Sequence, residues 1–254
     1  MPDRRDGSPA RAVPYRGRMR MDARRRVAAL ALAALALAGA ALALHSPAGH
    51  AEGTSNGIAS KSPAAIVAAA RSAVDGVSSV HVAGSGLEGG QTITLDLRLA
   101  AGRGGEGTLT LNGGTFQIVV IAKTVYFKGS AAFWRQSSGE TAAKKLGGRW
   151  LKGPLSGELA SVAAFGDIHK LFAQLLAPKG TLTEGAITKI RGQPAIGITD
   201  AANRGTLYVA TTGRPYPLQI NNSSKHGVIV IDQIGSPVTL TAPSGATDIT
   251  QVGG

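Results

Sequence analysis

Past residue 51 the side chains best suited by type to acid–base chemistry are His81, His169 and His226. An imidazole needs a carboxylate or hydroxyl partner to act as a base or to activate a nucleophile. None of the three sits in a local motif that supplies one. The chain has no Cys, which removes thiol nucleophiles, thiolate metal sites and disulfides. It has no Gly-x-Ser-x-Gly, no His-Glu-x-x-His and no phosphate loop. Asp and Glu are scattered without metal-ligand spacing. The Gly runs fall at hairpin turns, where they supply positive φ, and the Asn-x-Ser matches at Asn221 and Asn222 are chance sequons. These residues predict a protein that is not an enzyme and that carries no cofactor and no metal.

Function must then come from shape, and the stretch that sets the shape is Val80–Lys128. In Thr92–Leu99 the polar Thr92, Thr94, Asp96 and Arg98 alternate with Ile93, Leu95, Leu97 and Leu99. Leu109 and Leu111 alternate in the same way within Thr108–Asn112. Period-two alternation builds an antiparallel sheet with one buried face. Phe116–Ile121 departs from it: Phe116, Ile118 and Val120 lie on one face, Val119 and Ile121 on the other. A strand apolar on both faces needs cover on both sides.

Two amphipathic helices are available as cover. Ser62-Pro63 reads as an N-cap followed by Pro at the first helical position, and Ile66, Val67, Ala70, Val74 and Val77 form one stripe before Asp75-Gly76. Asp167 caps a second helix, with Ile168, Leu171, Phe172, Leu175 and Leu176 on one face and Pro178 as its stop. From Gly180 the chain is β again, in short runs at Ala186–Ile190, Ala195–Thr199, Thr206–Thr211, Pro217–Ile220 and Gly227–Ile231, spaced as up-and-down neighbours. Pro237 marks an edge strand, Pro243 a loop and Asp248–Val252 a last short strand.

The net charge of +12 is uneven, because residues 1–51 hold nine Arg against three Asp. Arg24-Arg25-Arg26 precedes an eighteen-residue apolar run, Val27–Leu44, and small residues at Ser46–Ala48 and Gly49–Ala51 follow. This is the anatomy of a secretory signal, with cleavage expected after Ala51 or else Ala48; an uncleaved membrane anchor is the alternative. Met19 or Met21 would give a leader of more ordinary length. Residues 52–61 read as a flexible linker and 62–254 as a single domain. The moderately basic body points away from nucleic acid and suits an anionic surface. Trp150 lies among Lys144, Lys145, Arg149 and Lys152. Such a group suits a membrane-surface rim; equally, Trp134 and Trp150 suit the core with the charges solvated.

At Gly205–Asn222 the order of residues becomes familiar. Leu207-Tyr208-Val209 leads to Gly213-Arg214-Pro215-Tyr216-Pro217-Leu218-Gln219-Ile220. Upstream stand Gly192-Gln193-Pro194, Val77-Ser78-Ser79-Val80-His81-Val82, Val125-Tyr126-Phe127-Lys128 and Arg149-Trp150-Leu151-Lys152. Together, over about residues 62–250, this resembles the actinobacterial LppX/LprA/LprF/LprG lipoprotein family, whose fold is like that of LolA and LolB. The resemblance implies an α+β fold: a strongly curved antiparallel sheet, an open half-barrel, covered by a few helices. It also implies a cavity for the acyl chains of lipids or lipoglycans in the cell envelope, carried by a monomer. The family's members carry an acylated Cys at the mature N-terminus, and this chain has none there. Soluble carriage after export, or retention by the leader, is therefore expected.

The candidates to line such a cavity come from the alternating apolar sets: Ile93, Leu95, Leu97, Leu109, Leu111, Val119, Ile121 and Phe127 on the sheet, Leu171 and Leu175 on the second helix. The same residues suit a filled core, which would make the protein an envelope protein-interaction or sensor domain with no lipid cargo.

Overall fold

Ser62 holds an extended backbone and accepts the Ala65 N–H on its hydroxyl, 3.4 Å away, so Pro63 opens α1 (Pro63–Asp75) as its type demands. The stripe of α1 buries Ile66, Val67, Ala70, Ala73 and Val74. The structure, a computed structural model, describes residues 54–252. The expected leader and its cleavage positions lie outside them. Among the described residues no helix is long and apolar enough to cross a membrane.

After α1 come β1 (Ser79–Glu88), β2 (Gln91–Ala100), β3 (Gly104–Leu111), β4 (Gly114–Ile121) and β5 (Thr124–Gly129). Then follow α2 (Ala131–Ser138), α3 (Glu140–Leu146), β6 (Leu151–Pro154), a 3₁₀ stretch Gly157–Gly166 and α4 (Ile168–Leu175). The second half is β7 (Leu182–Ile190), β8 (Gln193–Asp200), β9 (Gly205–Ala210), β10 (Pro217–Asn222), β11 (Gly227–Asp232) and β12 (Thr247–Asp248). All twelve strands form one open sheet in the order β12-β6-β5-β4-β3-β2-β1-β11-β10-β9-β8-β7. Every pairing is antiparallel except the short β12–β6 contact. The architecture is the α+β curved sheet with helical cover that the sequence implied.

The registers align apolar rows across the sheet. One runs Ile198, Leu207, Ile220, Ile229, Gly84, Leu95, Leu109 and Phe116. The next includes Ile231, Val82, Leu97, Gly107, Ile118 and Phe127. The glycines in these rows let the sheet bend: a Cβ on Gly84 would collide with the Val228 carbonyl oxygen, and one on Gly107 with that of Asp96. Bending wraps the inner face around its cover. The 3₁₀ stretch packs on β2, β3, β4 and β6, α2 packs on β4 and β5, and α1, held against α4, lies over β7, β8 and β9. The core between them holds Leu97, Leu99, Ile118, Phe127, Trp134, Phe165, Leu171 and Phe172, all essentially inaccessible.

Four stretches differ from expectation. Residues 54–61 are docked rather than a free linker: the Asn56 N–H donates to the Thr211 carbonyl (2.9 Å), its amide to those of Ala210 and Gly213, and Ile58 is buried. Asn56 satisfies acceptors that the end of β9 leaves open. Between Ser130 and Gly153 the chain forms α2 and α3, with the Ser130 hydroxyl capping α2 through the Phe133 N–H. The 3₁₀ stretch was unforeseen, because its apolar residues Leu159, Val162 and Phe165 span too few turns to show a period. Residues 233–246 form no strand, so Pro237 marks no sheet edge; the last strand is Thr247–Asp248, followed by a 3₁₀ turn over Ile249–Gln251.

Candidate functional site: a cavity with an apolar floor

The three histidines are dispersed. His81, on the outer face of β1, bridges two carboxylates, with Nδ1 2.7 Å from Asp232 and Nε2 3.2 Å from Asp96. Arg98 and Arg191 flank the same carboxylates. His169 joins α4 to α1 through Asp75, 2.9 Å away and exposed, and His226 sits in the β10–β11 turn at φ 45°. Among the described residues no group of His, Asp and Glu is arranged to hold a metal ion. The His81 cluster ties neighbouring strands together on the outer face, away from the cavity described next.

That cavity has a volume of about 460 Å³ and opens where the C-terminal end of α4 meets the β8–β9 and β10–β11 turns. Its floor is Leu175, Ile220 and Ile229, the last two directly paired across β10 and β11. Its rim carries Gln174, Lys179, Asn203, Arg204, Asn222, Ser224 and Lys225. A shallow crevice of about 50 Å³ adjoins it beside α1, sharing Leu175, Ala177, Asn203, Gly205 and Ile220 with the larger space and adding Val67, Leu182, Ile198 and Leu207. The volume is in the range of small-ligand sites, and the lining is mixed, with aliphatic side chains beside polar and charged ones.

The local sequence explains the geometry. Pro178 ends the helical region and leaves Lys179 to turn toward the sheet, where its N–H donates to the Asp200 carboxylate at 2.6 Å. The other oxygen of Asp200 accepts the Ala202 N–H at 3.0 Å, so this buried carboxylate shapes the β8–β9 turn. Asn222 donates to the Asn203 carbonyl at 2.8 Å and accepts the Ser224 N–H at 3.0 Å, and the Ser223 N–H reaches the Arg204 carbonyl at 3.2 Å. The two turns that form the mouth are thereby joined to one another.

Of the residues expected to line a cavity, only Leu175 lines this one. Ile93, Leu95, Leu97, Leu109, Phe127 and Leu171 are buried in the main core, and Leu111 packs against it half-buried. Val119 and Ile121 face the other way: Val119 pairs with Glu106 and Tyr126, on the face that carries Asp96 and Arg98. Ile220, Ile229, Lys179 and Arg204 were missed as site residues. The apolar pair was visible as alternation in the last two runs; nothing local marked the cations, since their meeting depends on three separate turns.

Near Trp150 the structure shows part of the expected basic group, together with Lys128. Lys144 and Lys145 are exposed on α3, Arg149 donates to the Lys145 carbonyl at 3.4 Å, and the Lys128 ammonium lies 5.0 Å from the centre of the half-buried Trp150 ring. Trp134 is in the core, stacked edge-on to Phe133. Along the sheet this patch, on β5 and β6, is five to seven strand positions from β11 and β10, which carry the cavity floor.

The fold and site together define an open, curved antiparallel sheet with helical cover and a rimmed, apolar-floored cavity at one end. No protein-family model matches the chain, and no curated protein matches it by sequence. Among solved structures it is similar to LprF from Mycobacterium bovis, at 14% identity and a TM-score of 0.46, covering 72% of this chain and 97% of that one. It is similar also to the lipoprotein LppX of Mycobacterium tuberculosis, at 19% identity and a TM-score of 0.47, covering 71% of this chain and all of the other. Both are among the proteins that the order of motifs in the sequence resembles.

Proposed function

We propose that this is an exported, non-enzymatic binder and carrier of the acyl chains of an envelope lipid. The observation that carries the reading is the cavity over Leu175, Ile220 and Ile229 with its adjoining crevice beside α1. The sequence resemblance supports it, as does the export signal in residues 1–51. A buried alkyl chain gains about 0.8 kcal/mol per CH₂, so a measurable complex needs on the order of ten buried methylenes to offset the cost of association. The outer cavity accepts the first part of a chain, and the crevice must widen as α1 and α4 part to accept more.

Contact with an anionic membrane through Lys144, Lys145, Arg149, Lys152 and Trp150 is part of the proposal.

Native mass spectrometry of the exported protein, followed by organic extraction, tests the reading. A discrete lipid adduct is expected. The Leu175→Trp variant puts a larger side chain where the cavity meets the crevice, and it should lose the adduct while keeping the wild-type far-ultraviolet circular dichroism. An adduct-free wild type that takes up no added lipid would sink the carrier reading and leave the interaction-domain alternative.

A further inference from the structure

The rim of the cavity is more specific than its floor. Lys179 and Arg204 bring two positive charges to it, and among the described residues no carboxylate lines the outer space. The acidic group nearest the mouth is Asp200, which lines the adjoining crevice; its two oxygens accept the N–H groups of Lys179 and Ala202. Among the described residues neither Lys179 nor Arg204 has an ion-pair partner. The backbone positions from which the cations project are also held in place. Arg204 takes φ 55°, a left-handed conformation that costs energy for a residue with a Cβ, and it is fixed there by the bond from the Ser223 N–H to its carbonyl. Lys179 follows Pro178 and is fixed by its own N–H on Asp200.

We propose, resting on the carrier reading, that this rim is a phosphate-recognition subsite and that the cargo is a lipid with an anionic phosphate headgroup. Lys179 and Arg204 bind the phosphate oxygens while the alkyl chain lies on Leu175, Ile220 and Ile229. Charge complementarity selects the class: a guanidinium offers paired donors to phosphate oxygens and an ammonium offers a compact point charge, and such charge-assisted bonds are about twice as strong as neutral ones. A neutral headgroup would use neither cation, whereas a phosphate would engage both.

The test compares four ligands on the exported protein by calorimetry, each lipid below its micellar concentration: a monoacylglycerol, the monoacylglycerol phosphate of the same chain, glycerol phosphate and inorganic phosphate. The expected result is about tenfold tighter binding of the phosphorylated lipid than of its neutral counterpart, a preference that weakens with salt. In the double variant Lys179→Gln/Arg204→Gln the ratio should fall to near one. Both side chains are exposed, so folding, checked by thermal melting, is preserved. Equal affinity of the two lipids in the wild type overturns the headgroup inference alone, and so does a ratio that persists in the double variant. Glycerol phosphate or inorganic phosphate binding as tightly as the lipid makes the rim a site for the free anion and overturns the lipid source. Binding of neither lipid overturns the carrier reading with it.

Discussion

Trp134 is fully buried, yet among the described residues its indole Nε1 has no hydrogen-bond partner. The ring fits because Gly129 lies beneath it: a Cβ there would come within 2.6 Å of the Phe133 ring and 2.7 Å of Nε1. Phe116, Phe127 and Phe133 complete the cluster, with centroids 5.0–5.9 Å apart. Gly129→Ala should therefore lower stability by about 1–3 kcal/mol through overpacking, read from a urea midpoint and accompanied by altered Trp fluorescence; an unchanged midpoint would show that the cluster yields. A second residue-level expectation concerns charge. The hydrogen bond from Arg135 Nε, 2.6 Å long, holds the Glu140 carboxyl below its ordinary range. A carboxyl with a lowered folded-state value favours folding above its unfolded value, and that contribution is lost as pH falls through the lowered one. Arg135→Ala should move the Glu140 midpoint upward in a carboxyl-detected titration. At this scale the sequence was legible where a side chain acts on its own neighbours. The Ser62 and Asp167 caps were read directly, whereas the packing of Gly129 under Trp134 depends on where α2 lands and left no local sign.

At the scale of elements, α1 is tied to the sheet by a residue far along the chain. The Arg214 guanidinium donates to the Ala73 carbonyl at 3.1 Å, near the helix end, and lies 5.4 Å from the centre of the Tyr216 ring. The Gly-Arg-Pro-Tyr-Pro turn, which carried much of the sequence resemblance, thus fastens the helix that borders the crevice. The backbone of Arg214 is positioned by the bond from the Tyr216 N–H to its carbonyl, 2.7 Å. Arg214→Ala should cost about 1 kcal/mol, since the side chain is exposed and the bond only part-buried. It should also speed hydrogen exchange in α1 more than in α2, which touches nothing of this turn; equal effects on both helices would contradict the tether. Element types were readable because periods of two and of about 3.6 differ clearly over ten residues. Which elements enclose a void was not: Leu97 and Ile229 sit in similar alternating strands and in the same core, and Ile229 alone of the two also borders the cavity.

At the scale of the molecule, two meanders, β2–β5 with β1 and β7–β11, meet along one seam where β1 pairs with β11. His81 and Asp232, bonded across it, are 151 residues apart in sequence. So distant a pairing must follow the folding of the local hairpins, because closing the loop costs entropy before any contact repays it. The seam leaves no room for a side chain at Gly84, where an added Cβ would meet Val228 and Ile229 of β11. Gly84→Val should therefore strike the joint rather than either half. Native-state hydrogen exchange separates the possibilities. In the wild type, β7 should exchange fastest, as an edge strand with seven of its nine residues exposed, and β1 and β2 slowest. In Gly84→Val, β10 and β11 should lose protection first, while β3–β5 keep theirs under the 3₁₀ stretch and α2. Because Ile220 and Ile229 line the cavity, the same variant should also lose any lipid adduct that the wild type carries. Uniform loss of protection across all strands would mean that the sheet opens as one unit and that the cavity cannot loosen without unfolding the core.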